Sequence, residues 1–243
     1  MKISEAIERV QSAYSKGMQS DDSRLSNRHI YSKLRSSRIR VISQQLSKKQ
    51  IVSQWCYQPI VVKLITAPVH ECAVITSITC KILRSELTIP QIFTNMDMHI
   101  IQSVTSLDGS HEYGITSWEE LRHKKGRKYT KDLPEYFIKN GYLYITDKRV
   151  LEMVLITAIF NDPIEAKTYS DSCGGVYNSC LSYLDYDFAL DGKLEEAVIE
   201  LTANEFLYTF SQTRDDRQNN AADDIAVPQR RYNQNQRSQD PNE

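Results

Sequence analysis

Residues 136–146, YFIKNGYLYIT, constrain the fold of this chain more than any other stretch. Two alternating runs rich in aromatic residues flank the dipeptide Asn140-Gly141. A two-residue type I′ turn needs positive φ angles at both central positions, and asparagine and glycine tolerate these angles better than other residues do. The stretch therefore predicts an antiparallel β-hairpin.

Further β-branched runs, separated by proline, serine and threonine, predict more strands around this hairpin. They are IVVKLIT at 60–66, CAVIT at 72–76, CKILRSEL at 80–87, HIIQSVTS at 99–106 and LEMVLITAIF at 151–160. The sequence LDGS at 107–110 is typical of a turn, and NDP at 161–163 ends the last strand. We predict an antiparallel β domain, a barrel or a sandwich, over residues 58–168.

Apolar residues at helical spacing precede this domain and predict a helical hairpin over residues 1–57. The spaced positions are Ile3, Ile7, Val10 and Tyr14 in the first helix and Ile30, Leu34 and Val41 in the second. Gly17 is placed to end the first helix, and Asp21 or Asp22 to cap the second, which is expected to end near Trp55.

A connecting loop rich in Tyr, Ser and Asp is predicted at 169–192, and a C-terminal helix capped by Asp191 at 193–210. The apolar face of that helix is expected to comprise Leu194, Val198, Leu201 and Tyr208. Together these elements predict an α+β fold: an N-terminal helical hairpin, an antiparallel β barrel or sandwich, a C-terminal helix and an extended polar tail.

The tail, residues 211–243, is rich in Gln, Asn, Asp and Arg and has few apolar residues. Such a segment buries too little apolar surface to offset its ordering entropy, so we expect it to be disordered when alone and ordered only by partners. The stretch IAVPQRRY at 225–232 has the side chains best able to dock. Pro228 favours an extended backbone there, which suits a groove or a sheet edge.

The second helix has an unusual charge pattern. Residues 23–70 contain no Asp or Glu, although the whole chain has a net charge of −1 and a pI of about 6.5. The cations of residues 23–49 are Arg24, Arg28, Lys33, Arg35, Arg38, Arg40, Lys48 and Lys49. Three interpretations stay open: a solvated face, a contact with acidic protein surfaces, and a contact with nucleic acid. The pI and the presence of a single aromatic residue in the ridge, Tyr31, disfavour nucleic acid.

Other sequence features bear on location. No apolar run approaches the ~18 residues of a membrane span, and the polar, helical N-terminus lacks the apolar core of a signal peptide. Five scattered cysteines, an odd number, indicate reduced thiols rather than a disulfide framework. We expect no membrane partner and a cytosol-like compartment.

Motifs that mark an enzyme are weak. The sequence has no phosphate-binding glycine loop, no Cys-x-x-Cys pair and no His-Glu-x-x-His helix. Cys173 in SCGG, with His123 about fifty residues upstream, faintly matches the caspase spacing but lacks the Gln-Ala that precedes the caspase cysteine.

Metal signatures are equally weak. Asp185, Asp187 and Glu196 stand at positions one, three and twelve of a calcium loop. Ala189 and Leu190, however, occupy the positions of a ligand and of the turn glycine. The five histidines show no ligand spacing. We therefore predict no catalytic site, no metal and no cofactor.

Four stretches together carry a family resemblance. They are SEAIERVQSAYSKGMQSDDSRLSNRHIYSKL at 4–34, QSVTSLDGS at 102–110, YFIKNGYLYITDKR at 136–149 and ITAIFNDPIEA at 156–166. The arrangement resembles the first neck-ring protein of crAss-like bacteriophages over most of residues 1–210. More distantly, it is similar to the tail-tubular-A type head–tail adaptors of short-tailed phages, in which the insertion at 169–190 has no counterpart.

The resemblance implies a structural virion protein, made in the bacterial host cytoplasm, and not an enzyme. It implies a dodecameric ring beneath the portal protein, which extends the DNA channel and presents a platform for the next tail ring protein. Its partners would be other copies of the chain, the portal, the next ring protein and the genomic DNA passing through. The tail would reach the portal through Ile225, Val227, Pro228, Arg230, Arg231 and Tyr232.

A closed ring needs two unlike faces on each subunit. The cationic helical hairpin supplies one, and acids elsewhere in the chain supply the other: Asp185, Asp187, Glu195, Glu196 and Glu200. Our hypothesis is that Arg24, Arg28, Arg35 and Arg38 contact acidic groups of the adjacent subunit or the portal. The alternatives are a DNA-binding or DNA-guiding protein that uses the basic helix 23–49, and a hydrolase that uses Cys173.

Overall fold

A computed structural model describes residues 1–15, 25–68, 82–96, 98–121, 123, 128–129, 133–147, 151–173 and 182–211. The helices are α1 (Ile3–Tyr14), α2 (Asn27–Ser47), α3 (Trp118–Leu121), α4 (Pro163–Cys173) and α5 (Gly192–Ser211), with 3-10 turns at Gln54–Cys56 and Tyr183–Asp185. The strands are β1 (Gln58–Thr66), β2 (Ile82–Ser85), β3 (Thr94–Asn95), β4 (Met98–His99), β5 (Ile101–Ser106), β6 (Gly114–Ile115), β7 (Glu135–Lys139), β8 (Tyr142–Thr146) and β9 (Met153–Ala158).

Seven of these strands form one sheet in the order β5-β9-β1-β2-β8-β7-β6. The neighbours are antiparallel, except that β6 runs parallel to β7. The segment just before β6 also bonds back to β5, since the Tyr113 amide donates to the Val104 carbonyl at 2.9 Å. The sheet is therefore nearly closed, and the predicted α+β fold with an antiparallel barrel is confirmed.

The β7–β8 hairpin has the predicted turn. Asn140 and Gly141 both have positive φ angles, 53° and 78°, and Lys139 pairs with Tyr142 across the turn. The LDGS turn is also present, with Gly109 at a φ of 70°. The CAVIT run at 72–76 lies outside the described residues, so the strand predicted there stays a prediction.

The helical hairpin has the predicted apolar faces but a different cap. Ile3, Ile7 and Val10 of α1 are buried, as are Ile30 and Leu34 of α2. The helix α2 begins later than predicted, and its N-cap is Ser26, whose hydroxyl accepts a bond from the His29 amide at 3.3 Å. The predicted cap at Asp21 or Asp22 is therefore wrong for this helix. The helix also ends at Ser47, before Trp55.

Two elements differ from the sequence predictions near the C-terminal end. Helix α4 occupies residues that were assigned to the end of the β domain and the start of a loop, and it packs against β1. Helix α5 is present with Leu194 and Val198 buried, but Tyr208 is 71% exposed. The buried face continues instead through Thr202 and Phe206.

Helices α1, α2 and α5 pack together into a helical layer. Helix α5 runs antiparallel to α2, because Thr202 hydrogen-bonds Ser37 while Phe206, further along α5, contacts His29 near the start of α2. This layer shares an apolar core with Phe93 and Ile159 from the sheet region, and a second core fills the sheet interior. The division of the chain into separate domains stays a prediction.

Candidate interaction surface on helix α2

The four arginines predicted at an interface do not share one environment. Arg24 lies outside the described residues. Arg28 is exposed on the first turns of α2, and the side chain of Arg35 is about half exposed. Arg38 is fully buried, with 0% of its surface exposed. The structure thus separates residues that the charge pattern had grouped together.

Arg38 points into the protein and is bound there by backbone carbonyls. Its Nε donates to the Ala189 carbonyl at 2.8 Å and its Nη1 to the Phe160 carbonyl at 2.8 Å. Its Nη2 donates to the Cys56 carbonyl at 3.3 Å. Burial lowers the pKa of Arg38 to about 10, so the guanidinium stays charged at neutral pH.

A buried charge is tolerated only when its polar atoms are hydrogen-bonded. Here the fork-shaped guanidinium joins α2 to the segment that follows β9, to the 3-10 turn before β1 and to the segment before α5. Arg38 is therefore an internal link, and the expectation that it meets a neighbouring subunit is wrong for this residue.

Asp162 is the centre of a polar cluster that the sequence patterns did not predict. Its Oδ2 accepts from Arg35 Nη1 at 2.8 Å, and its Oδ1 accepts from the Tyr31 hydroxyl at 2.7 Å. The Ile164 amide also donates to Oδ1 at 3.0 Å. Burial, followed by the bond to Asp162, raises the pKa of the Tyr31 phenol well above its ordinary value.

The sequence did contain a signal for this cluster. An Asp followed directly by Pro is typical of a helix N-cap with proline at the first helical position. Asp162 and Pro163 stand in that relation at the start of α4. The same two residues also fit the end of a strand, which is the role predicted for them above, and the helix was therefore missed.

Other cations of α2 pair with a carboxylate on α5. Glu205 Oε1 lies 3.2 Å from Arg40 Nη1, and Glu205 Oε2 lies 3.8 Å from Lys33 Nζ. Two acids expected to face a neighbouring subunit are likewise paired within the chain. Glu196 Oε1 lies 2.8 Å from Arg9 Nη1, and Glu195 Oε1 lies 3.3 Å from the N-terminal amine.

Arg28 differs from these cations. Within the described residues it forms no ion pair and no hydrogen bond through its side chain. It lines an open groove of about 580 Å³, here called the α2 groove. The lining residues are Arg28, Tyr31, Ser32, Arg35, Asp162, Ile164 and Tyr183. The groove thus presents one free guanidinium, one paired guanidinium and the partly exposed ring of Tyr183, which suits an acidic group on a protein partner.

The remaining predicted sites fall into two groups. The six tail residues predicted to bind the portal, from Ile225 to Tyr232, lie outside the described residues. Among the residues that are described, no three potential metal-ligating side chains converge, and this includes Asp185, Asp187 and Glu196. In that same part of the chain, no helix is both long enough and apolar enough to cross a membrane.

The chain matches a known protein family over most of its length. A model of a crAss phage family, described as phage tail ring protein 2, matches residues 5–225. No curated protein matches the chain significantly. The matched segment includes nearly all of α1, the whole sheet and α5. It agrees with the resemblance to crAss-like phage ring proteins, although that resemblance pointed to the first ring and the family is described as the second.

Proposed function

The chain belongs to the phage tail ring protein 2 family, and we propose that it forms a ring in the phage neck. The members of this family are structural proteins of the bacteriophage tail ring and not enzymes. The finer proposal is that a dodecameric ring connects the portal to the tail, carries the next ring protein and extends the channel through which the genomic DNA passes. The family match over residues 5–225 carries this proposal.

The charged surface of α2 supports a contact between unlike faces, as a closed ring requires. Lys33, Arg35 and Arg40 already have carboxylate partners in their own chain. Arg28 has none among the described residues, and it faces an open groove. We assign Arg28 to the contact with acidic groups of the adjacent subunit or the portal, together with Arg35, which lines the same groove although it is paired with Asp162. Arg24, which lies outside the described residues, is assigned to the same contact from the charge pattern of the sequence.

The tail supplies the second proposed contact. Its polar composition cannot form a core of its own, and IAVPQRRY combines apolar and cationic side chains next to a proline. We assign Ile225, Val227, Pro228, Arg230, Arg231 and Tyr232 to the portal surface, in the virion neck.

Charge reversal tests the groove. Arg28→Glu should block assembly of the ring onto the portal while leaving the melting temperature unchanged, because the Arg28 side chain has no partner among the described residues. Lys193→Glu, an exposed charge reversal on the first turn of α5, is the matched control. Electron microscopy of purified necks detects the ring. Normal rings with Arg28→Glu would remove this residue from the interface.

Deletion of residues 212–243 tests the tail in the same assay. The melting temperature should stay nearly constant, since the polar composition of those residues offers little apolar surface to a core, and portal attachment should be lost. Portal binding at wild-type strength without the tail would contradict the assignment.

The alternative, a DNA-guiding protein using residues 23–49, is weakened by the ion pairs that the α2 cations form within the chain. A titration of DNA binding against salt separates the two ideas. Neutralisation of several phosphates gives a logarithmic slope of about −0.9 per contact. A steep slope would favour the contact with DNA over the contact with protein.

A further inference from the structure

An exposed apolar knob follows helix α2. Ile51 is 96% exposed and Trp55 is 77% exposed, although Val52 and Cys56 beside them are buried. The buried Val52 and Cys56 and the 3-10 turn at Gln54–Cys56 anchor the backbone that carries the two exposed side chains. The exposed cations Lys48 and Lys49 immediately precede them. We call residues 48–55 the Trp55 knob.

An exposed tryptophan next to an exposed isoleucine on an anchored turn is suited to a protein contact. Tryptophan is enriched among the residues that carry most of the binding energy at interfaces, where it fills a pocket on the partner. The positive charges of Lys48 and Lys49 beside the tryptophan favour a cleft that offers both apolar surface and a negative group.

The sheet contains a cleft with apolar side chains and one carboxylate where β5 and β6 fail to close. The bond from Tyr113 to Val104 joins the two segments, and beside this bond an open cleft of about 480 Å³ remains. Its lining is mixed: Ile101, Ile115 and Tyr136 contribute apolar surface, and His99, Gln102, Ser103 and Glu112 contribute polar groups. Ile115 is 71% exposed, and Glu112 is the only carboxylate among the lining residues. We call this the β5–β6 cleft.

We infer that the Trp55 knob of one subunit inserts into the β5–β6 cleft of the next copy of the chain. The knob carries apolar side chains and two lysines, whereas the cleft carries apolar side chains and the carboxylate of Glu112, so the two surfaces of one chain complement each other in charge. Two unlike surfaces that bind each other give the head-to-tail contact from which cyclic rings are built. The inference rests on the proposed ring and names surfaces that hold its subunits together.

The knob is separate from the α2 groove. Arg28 lies in the first turn of α2 and the knob follows its last turn, and a helix of 21 residues spans about 31 Å. Variants of the knob therefore leave the groove intact, so the two proposals are tested independently.

Sedimentation velocity of the full-length chain over a range of concentrations tests the contact. Trp55→Ala should weaken self-association by about 30-fold or more, the loss typical of an interface hot spot. Tyr208→Ala removes an aromatic side chain of similar exposure, 71%, and should leave self-association unchanged. A wild-type chain that stays monomeric throughout, or equal losses in both variants, would overturn the inference.

Exchanging the charges tests the pairing itself. Lys49→Glu and Glu112→Lys should each weaken self-association, and the double variant should restore it, because each copy then offers a negative knob to a positive cleft. Mixing the two single variants should also give complexes in which the Glu112→Lys copy accepts the Lys49→Glu knob. Absence of restoration in both experiments would contradict the assignment of the two surfaces.

The outcome for the ring is read separately by electron microscopy of necks. Normal rings built from Trp55→Ala chains would overturn the assignment of the Trp55 knob to the subunit contact, and the proposed function would still stand. Necks of wild-type particles that lack a ring of this protein would overturn the proposed function itself.

Discussion

The helical layer and the sheet each have an apolar core, but they differ in how their elements are linked to one another. In the sheet, backbone ladders join the strands, and apolar side chains such as Leu143, Ile145 and Ile156 fill the interior. Between α2 and the elements around it, charged groups make many of the links: Arg38 to three carbonyls, Arg35 to Asp162, and Lys33 and Arg40 to Glu205.

This difference has a physical consequence. Apolar packing does not depend on ionisation and depends little on simple salt, whereas charged links respond to pH and to salt according to their burial. Three substitutions, from the most buried link to the most exposed, test how far the helical layer depends on its charges.

Arg38→Met should have the largest effect. It leaves the carbonyls of Phe160, Ala189 and Cys56 without their donor, and each buried polar group left unpaired costs about 1–3 kcal/mol. We expect the free energy of unfolding to fall by about 3 kcal/mol or more, measured by urea denaturation followed by circular dichroism.

Two further variants sharpen this result. Arg38→Lys keeps the charge, but the compact ammonium of lysine cannot bond all three carbonyls as the planar guanidinium does. This variant should therefore recover only part of the lost stability. Ile156→Ala, in the sheet core, should cost about 2–5 kcal/mol through its cavity. Stability equal to the wild type in Arg38→Met would remove Arg38 as the main link of the helical layer.

Tyr31→Phe should have an intermediate effect. It removes the hydrogen bond to the Asp162 carboxylate, and bonds to charged groups contribute about 1.5–3 kcal/mol. The folded state raises the pKa of Tyr31 above its ordinary value of 10.0, so the unfolded chain gives up this proton first. The contribution is therefore complete below pH 10.0 and is lost as the pH rises further.

Urea denaturation at several pH values checks this sign. The wild type should lose stability above pH 10.0 more steeply than Tyr31→Phe. Tyr57 and Tyr136, whose pKa values are also raised by burial, are present in both proteins and cancel in the comparison. Parallel stability curves for the two proteins would show that Tyr31 ionises freely in the fold.

Glu205→Gln should have the smallest effect. The side chains of Lys33, Arg40 and Glu205 are 43%, 60% and 32% exposed, and exposed ion pairs contribute about 0–1 kcal/mol. We expect a loss in this range that shrinks as salt is added, because salt screens exposed charges. A large loss that is independent of salt would indicate that these ion pairs act as buried links.

The sequence was informative where structure follows from neighbouring residues. Asn140-Gly141 specified its turn, and the spacing of Ile3, Ile7 and Val10 identified the buried face of α1. The environment of Arg38 was not accessible in this way, because the carbonyls of Phe160 and Ala189 lie 122 and 151 residues further along the chain.

The charge pattern of α2, a helix without Asp or Glu, has the same limit, because its ion-pair partners are distant in the sequence. A run of cations can pair with negative groups, but the sequence does not say whether it does so or which chain supplies those groups. Glu205 and Asp162 supply them here from 165 and 127 residues away. The candidate interface consequently reduced to Arg28 and its groove once the structure had assigned the other partners. The knob at Trp55 was missed because exposure is not visible in a sequence.

The antiparallel pairing of α5 with α2 also decides where the described part of the chain ends. Phe206 contacts His29 and Tyr14, so α5 runs out at the same pole of the molecule where α2 starts and where Arg28 stands. If the tail binds the portal as proposed, the portal is tethered to the chain at Ser211, at the end of the molecule that carries the α2 groove. The two proposed contacts, through the tail and through the α2 groove, would then lie at one end of the subunit.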